Sequence, residues 1–372
     1  MRRTCLALLL AALVACGDTP RTVVLYDRDA PPARLSAWGV VFAAGRRLGI
    51  DDRAEPYTLN TPLFSDYALK FRTAWLPEGR VATLAPDGDV EFPVGTILSK
   101  TFYYERAAAA GTGAPRVVRA DRDAQPGRAL DLGEVLLVET RLLVHQADGW
   151  QALPYVWNDA QDEAELAIAG DIRELRLAGR DGETLFSYVV PDMNQCGGCH
   201  TPDHASKLLE PLGPQAWQLD RDYAYPDGAA NQLARWQAAG LLTGGEPGAT
   251  QTVNWWVREP ATLVARARAY LDANCAHCHN AAGAADTSAL HLDREAPLDR
   301  HFGICKPPVA VGRGSGDRPY DIYPGRPDLS ILVYRMEHSD PAIAMPELGR
   351  GVVHTEGVAV VRDWIAQMNG QC

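Results

Sequence analysis

The sequence predicts an α+β multidomain chain, with a β-sandwich in front and a mainly α-helical region behind. Three observations predict this. Short runs rich in β-branched and aromatic residues, separated by Asp-Gly turns, fill residues 41–190. Beyond residue 191 apolar residues recur at helical spacing instead. The length of 372 residues exceeds one ordinary domain, and a hydrophobic content of 47% suffices for more than one core.

The chain opens on Met1-Arg2-Arg3 and an apolar run at 6–14, too short to span a membrane. The run ends in Leu13-Val14-Ala15-Cys16, which resembles a bacterial lipoprotein signal in which Cys16 is acylated and becomes the mature N-terminus. Gly17 in place of an aspartate points to the outer membrane, on its periplasmic side or at the cell surface, rather than inner-membrane retention. A non-lipidated signal peptide is the alternative. Residues 1–15 are therefore read as the signal, and the polar stretch 16–40, with Pro31-Pro32, as a tether. No later stretch reaches the ~20 apolar residues of a membrane helix, so the membrane is met only through the lipid. The net charge of −11 argues against nucleic acid as a partner. It suits a basic redox partner, or plain solubility.

Within 41–190, residues 94–104 and 135–145 are strand candidates. Asp148-Gly149 leads into 150–157, and Asp181-Gly182 joins 172–177 to 184–190. Both are hairpin signals, because the tight turn needs φ > 0. Residues 106–128 read as a polar loop, and Glu105, Glu134 and Glu139 as solvated strand positions. Behind residue 191, the stretch 231–242 carries Leu233, Trp236 and Leu241 as anchors. Pro260 opens a helix over 260–274 with Leu263, Ala267, Tyr270 and Leu271 on one face. A last helix starts near Thr355, a candidate N-cap, and bears Val358, Val361, Trp364, Ile365 and Met368.

Two C-x-x-C-H motifs carry the chemistry: Cys196-Gly197-Gly198-Cys199-His200 and Cys275-Ala276-His277-Cys278-His279. Two thiols three positions apart can bond the two vinyl-derived carbons on one porphyrin edge, and the next residue then offers an imidazole to the iron. The motifs therefore predict two molecules of haem c, held covalently by Cys196, Cys199, Cys275 and Cys278, with His200 and His279 as axial ligands. A redox dithiol or a Cys₄ zinc site would explain the cysteines but not a histidine after both pairs. Of the eight cysteines, Cys5 leaves with the signal and Cys16 takes the lipid. Cys305 and Cys372 remain. They either close a disulfide in an oxidising compartment or stay separate thiols.

Met345, in Met345-Pro346-Glu347-Leu348-Gly349, is the candidate distal ligand of the second haem, with Met336 as its rival. The first haem has no such partner between residues 201 and 274, where methionine is absent and His204 lies close to His200. Met193, His145, Lys207, a residue of the second haem region or an open coordination position all stay possible. Arg313-Gly314-Ser315-Gly316 reads as a turn, or as a contact to a haem propionate. The remaining boundaries follow: 41–190 the β-sandwich, 191–255 a first haem-binding segment, and 256–372 the second.

Helix, C-x-x-C-H, long loop, Met-Pro and helix is an order similar to class I cytochromes c, which implies a cytochrome c-like domain over 256–372 with His279 and Met345 on the iron. Over roughly 55–368 the chain also resembles a group of uncharacterised bacterial secreted or lipoprotein chains with a β-rich front and a dihaem cytochrome c-like rear. These are related to segments accompanying secreted sugar dehydrogenases that use pyrroloquinoline quinone. The stretches that carry it include Thr61-Pro62-Leu63-Phe64-Ser65-Asp66-Tyr67, Phe92-Pro93-Val94-Gly95-Thr96, Glu139-Thr140-Arg141-Leu142-Leu143-Val144, Tyr155-Val156-Trp157-Asn158 and Asn194-Gln195 before the first motif. Asn231-Gln232-Leu233, Tyr270-Leu271-Asp272-Ala273-Asn274 before the second motif, and Pro324-Gly325 complete the set.

The resemblance implies a periplasmic or outer-membrane-attached dihaem c-type cytochrome. It would pass electrons between an oxidoreductase, such as a secreted sugar dehydrogenase, and a downstream acceptor, rather than act as a stand-alone enzyme. Two alternatives stand beside it. One is a dihaem peroxidase or oxidase using an open first haem. The other is a saccharide- or protein-binding module whose haems are structural.

Overall fold

The computed structural model describes residues 22–108, 113–120, 124–180, 182–250, 252–258 and 260–372. The signal segment with Cys16, and Asp181 of the second hairpin turn, lie outside the described residues.

At the centre is a six-stranded antiparallel sheet in which chain order is also spatial order. Its strands are β1 (Glu55–Tyr57), β2 (Leu69–Trp75), β3 (Ile97–Glu105), β4 (Val135–Gln146), β5 (Gly149–Trp157) and β6 (Ala164–Leu166). β3 begins three residues later than expected. Pro93 to Thr96 first makes a turn, closed by Thr96 N–H on the Pro93 carbonyl, with Gly95 at φ 93°. Gly149 opens β5 at φ 116°, the positive value an Asp-Gly hairpin turn requires.

Side chains alternate across these strands, and the two faces meet different surroundings. One face carries Leu69, Phe71 and Trp75 of β2, Ile97 and Tyr103 of β3, Leu142 and Val144 of β4, and Leu153, Tyr155 and Trp157 of β5. They pack against a small sheet of Val41–Ala44, Arg47–Ile50 and Ala129–Asp131 and against the turn Leu35–Trp38. Full burial of each large apolar side chain contributes about 1.5–3 kcal/mol, so this face is the front's main source of stability. Leu35, Trp38 and Val40 are wholly buried here, and Trp38 Nε1 donates to the Tyr155 hydroxyl at 2.7 Å. The packed structure therefore starts inside the stretch expected as a tether.

The opposite face is covered at its two ends only. At one end Phe102, Tyr104 and Val156 meet Leu175, Phe186 and Tyr188 of a sheet formed by Arg116–Val118, Asp171–Gly179 and Gly182–Val190. Arg116–Val118 lies within the expected polar loop and pairs in parallel with residues 176–178. At the other end Ala74, Leu98 and Trp150 meet Leu233 and Trp236 of the helix Gln232–Ala238. The middle is left as the wall of a cavity.

The rear overturns the expectation of a mainly α-helical, cytochrome c-like region. Strands make up 29% of the structure and helices 17%, and among the described residues only three helices reach seven residues. These are Gln232–Ala238, Leu263–Leu271 and Thr355–Ala366. The physical cause lies in the spacers. Pro307, Pro308, Gly312, Gly314, Gly316, Pro319, Pro324, Gly325 and Pro327 recur too often for an uninterrupted helix. The periodic stretches are real but shorter than expected. The Asn231 side chain caps the first by accepting from Leu233 and Ala234 N–H. The second starts after Thr262, not Pro260, and passes at Leu271 into a π turn, Asp272–Ala276. The third has His354, not Thr355, at its N-cap.

The last two helices share a core of Ala267, Tyr270, Leu271, Val358, Val361, Trp364 and Ile365. They approach so closely at Gly357 that a Cβ there would stand 2.3 Å from the Tyr270 ring. Cys305 and Cys372 are bonded, with Cα atoms 5.3 Å apart, and close a loop of sequence separation 67 around this core.

Residues 58–67, which leave β1, fasten front to rear. The buried Gln232 amide accepts from Thr58 N–H at 2.7 Å and donates to the Thr58 and Leu219 carbonyls at 3.0 Å. Gln218 accepts from Thr61 N–H at 2.8 Å and donates to the Thr61 carbonyl at 3.0 Å. Asn274, just before the second motif, accepts from Phe64 N–H at 2.8 Å. Each glutamine thus serves as a short strand partner for otherwise orphaned backbone. Gln232→Leu keeps the size and removes all three bonds. Leaving buried backbone groups unmatched should lower stability by about 2–4 kcal/mol, read as the urea unfolding midpoint against wild type.

Candidate functional site

The two cysteine-histidine motifs meet at the uncovered middle of the sheet. The first forms a one-turn helix, Cys196–His200, directly after the strand Gly182–Val190. Its entry is fixed by a reciprocal pair: Gln195 N–H donates to Asp192 Oδ1 at 2.8 Å and Asp192 N–H to Gln195 Oε1 at 3.0 Å. Cys196, Cys199 and His200 line a cavity of about 1080 Å³. This is just above the range of small-molecule sites, about 300–1,000 Å³. Arg72, Leu98, Lys100, Phe102, Arg141 and Leu143 of the sheet form its floor, and residues 208–214 close one side.

The cavity also receives Cys275 and Met345, but Cys278 and His279 are not among its lining residues. The second motif is split by its own turn. The Cys278 thiol points to the first motif and donates to the Gly198 carbonyl at 3.2 Å. Cys199, His277 and Cys278 place one donor atom each within 4.8 Å of one another. The Cys199 and Cys278 thiols lie side by side: contact with Cys278, then with His277, holds Cys199 below the usual thiol range, and the same contact pushes Cys278 up. Burial raises the Cys275 thiol to about 12, so it is fully protonated at neutral pH.

Both motif histidines are neutral at pH 7, with the ring proton on Nδ1. His200 Nδ1 lies 2.8 Å from the Glu210 carbonyl, which can only accept, so the proton sits on Nδ1 and the Nε2 lone pair is available. His279 Nδ1 lies 3.1 Å from Ser288 Oγ, whose own proton goes to the Ala285 carbonyl, and the same tautomer follows. Burial, with the Lys100 charge second, lowers His200 to about 4. Burial, with Arg335, lowers His279 to about 4.

The remaining candidate ligands separate clearly. Met345 and Met336 both reach the cavity wall, although Met336 is buried in the rear core. Met193 packs against the front core instead. His145 lines the cavity, stacked on Trp150 with ring centroids 4.5 Å apart. Lys207 and His204 are exposed. Arg313 pairs with Asp340 at the surface in a turn.

Glu139 is not solvated. It is wholly buried, held by Arg141 through both oxygens at 2.6 and 2.7 Å and by the Tyr188 hydroxyl at 2.7 Å. The sequence reading also missed Arg72, Lys100, Arg141 and His277. The alternation of Lys70 and Arg72 with Leu69, Phe71 and Thr73 was visible, but it is the pattern of a strand with one face in water.

Behind the second motif, Asp66 joins the seam. It is 2% exposed, sits at φ 49° and accepts from Gly351 and Val352 N–H at 2.7 and 2.9 Å. Next to it Phe64 stacks on His354 with ring centroids 4.0 Å apart, and Tyr270 hydrogen-bonds His354 Nδ1 at 3.0 Å. No helix among the described residues is long and apolar enough to cross a membrane. No protein-family model matches the chain, and neither does any curated protein or solved structure.

Burial pushes the Asp66 carboxyl up to about 6, against the pull of its two backbone bonds. The folded state therefore binds this proton more tightly than the unfolded chain, and the group's contribution falls as pH rises from about 4 to about 6. Asn at this position keeps an acceptor for both N–H groups and tolerates the left-handed backbone. Asp66→Asn should remove that slope and gain up to about 3 kcal/mol relative to wild type above pH ~6, with no gain below pH ~4, in urea unfolding across that range.

Proposed function

We propose that the chain is an exported electron-transfer protein carrying two covalently attached haems, one at each C-x-x-C-H motif. The observation that carries this reading is the meeting of the two motifs, with the Cys278 sulfur 3.2 Å from the Gly198 carbonyl. Two attachment sites so close would join two redox groups within one body. When bound, each haem supplies a centre that gains and loses one electron.

The residues of the first motif fit such a group. Cys196 and Cys199 stand on one turn at the cavity, His200 keeps Nε2 available, and apolar Leu98, Phe102 and Leu143 alternate with cations on the floor. At the second motif Cys275 and Met345 reach the cavity, His279 has the required tautomer, and buried Arg350 Nε has no hydrogen-bond partner among the described residues. Covalent attachment needs only the local thiol and imidazole pattern, so the reading does not depend on a cytochrome fold. Cys196, Cys199, Cys275 and Cys278 would hold the haems, His200 and His279 would bind iron, and Met345 would complete the second site and raise its potential. Acylation at Cys16 would tether the protein to the periplasmic side of the outer membrane. The partner would be another redox protein, a secreted sugar dehydrogenase being the kind the sequence resemblance implies.

A second reading has one observation in its favour. Cys199, His277 and Cys278 are close enough to share a metal ion. They are one donor short of a four-coordinate structural zinc site.

One experiment separates these. Protein matured in a host competent for c-type haem attachment should show two haems per chain by pyridine haemochrome assay and intact mass. Cys196→Ser with Cys199→Ser should lose one haem and keep the other. A colourless product with bound zinc would overturn the proposal. Rapid carbon monoxide binding by one reduced haem would move the assignment to a peroxidase or oxidase.

A further inference from the structure

A row of cations crosses the cavity floor directly beneath the first motif. In the sheet register Arg72 of β2 is opposite Lys100 of β3, and Lys100 is opposite Arg141 of β4. Three positive side chains thus stand on adjacent strands, spaced about 4.7–4.9 Å apart along the hydrogen-bonding direction. Like charges directly opposite one another destabilise a sheet. Here they do so on the cavity floor, with Arg72 buried and Lys100 and Arg141 half-buried, in a chain whose net charge is −11, so general basicity does not explain them.

The row's own carboxylate is already used. Glu139, one step along β4, is held through both oxygens by Arg141. Lys100 has no hydrogen bond or ion pair among the described residues, and its ammonium rests 5.2 Å from the Phe102 ring centroid. Burial, then the charges of Arg141 and Arg72, pull its pKa down to about 7. Lys100 thus lacks an anion among the described residues, and the cavity above it has room for one.

We propose that the Arg72–Lys100–Arg141 row is a subsite for the carboxylate of a molecule with an apolar body. The Lys100 ammonium can donate a charge-assisted bond to a carboxylate oxygen, and the positive charges on either side add to its attraction. Leu98, Phe102 and Leu143 on the same face supply the apolar bed beside that head group. Two sources offer this chemistry. One is a propionate of the haem at Cys196 and Cys199, in which case the inference rests on the proposed function. The other is a diffusible amphipathic carboxylic acid, which needs no haem.

The test compares full-length wild type with Lys100→Met and Lys100→Arg, and with Lys100→Gln should the methionine variant not fold. Two readouts are taken on each: the midpoint potentials of matured protein by spectroelectrochemistry, and calorimetric binding of 4-phenylbutyrate. If a propionate fills the row, Lys100→Met lowers one midpoint by about tenfold in the one-electron equilibrium, about 59 mV. Lys100→Arg restores it, and 4-phenylbutyrate does not bind. If the ligand is diffusible, 4-phenylbutyrate binds wild type and Lys100→Arg, and Lys100→Met weakens it at least about tenfold, with both potentials unchanged. Unshifted potentials together with no binding to wild type overturn the subsite. Should the protein mature without haem, the proposed function falls, and the calorimetry alone decides the row, with no binding overturning it.

Discussion

The crossing of residues 58–67 over the rear of the molecule is the constraint on which the site depends. The cavity floor comes from residues 72–143, the first motif from 196–200 and the second from 275–279. Nothing in local helix or strand formation brings these together. Gln218, Gln232, Asn274 and Asp66 do so by satisfying backbone groups at Thr58, Thr61, Phe64, Gly351 and Val352. Such bonds add only about 0.5–1.5 kcal/mol each in net stability, yet an unmade one is costly. Their effect is to single out one docking among the many that apolar contact alone would allow.

The central sheet works under two rules at once. On its core face, alternation supplies aromatic and aliphatic side chains and closes a conventional interior. On the other face the same alternation yields Lys70, Arg72, Lys100, Glu139 and Arg141, of which Lys70, Arg72 and Glu139 are buried and Lys100 and Arg141 half-buried. Buried charge is costly unless compensated. Glu139, Tyr188 and the ring of Phe102 offset part of that cost for Arg141.

Much of the front was legible in advance. The runs ending at Tyr104, His145 and Val190, and the Asp-Gly steps, carry period-2 patterning and a turn residue, both local signals. The short helix at 232–238 was legible for a similar reason, since Leu233 and Trp236 are one turn apart. What escaped depends on distant partners. Trp38 looks like part of a polar linker until it meets Tyr155. Glu139 looks solvated until the hairpin carrying Tyr188 folds over it. In the rear the helical periodicity was read correctly but over-extended, because prolines and glycines between 307 and 327 govern more of the chain than the periodic stretches do. The motifs were unmistakable in sequence. The turning of Cys278 towards Gly198, away from the cavity wall, was not, since it depends on how two distant segments pack.

One small pairing bears on how far the polypeptide can be dissected. Leu242–Thr243, from beyond the first motif, lies parallel to Ala82–Leu84, and Leu242 and Trp236 complete the apolar cluster that includes Tyr57 and Leu76. A break at residue 191 would strip the front of a strand and a helix that its own surface requires. A break near 255 would instead sever Asn274 from Phe64. The molecule is interlaced rather than modular. Neither half would be a self-sufficient piece to transplant, and insertions would be better tolerated at exposed turns such as Glu78-Gly79 than at the junctions where domains would ordinarily be parted.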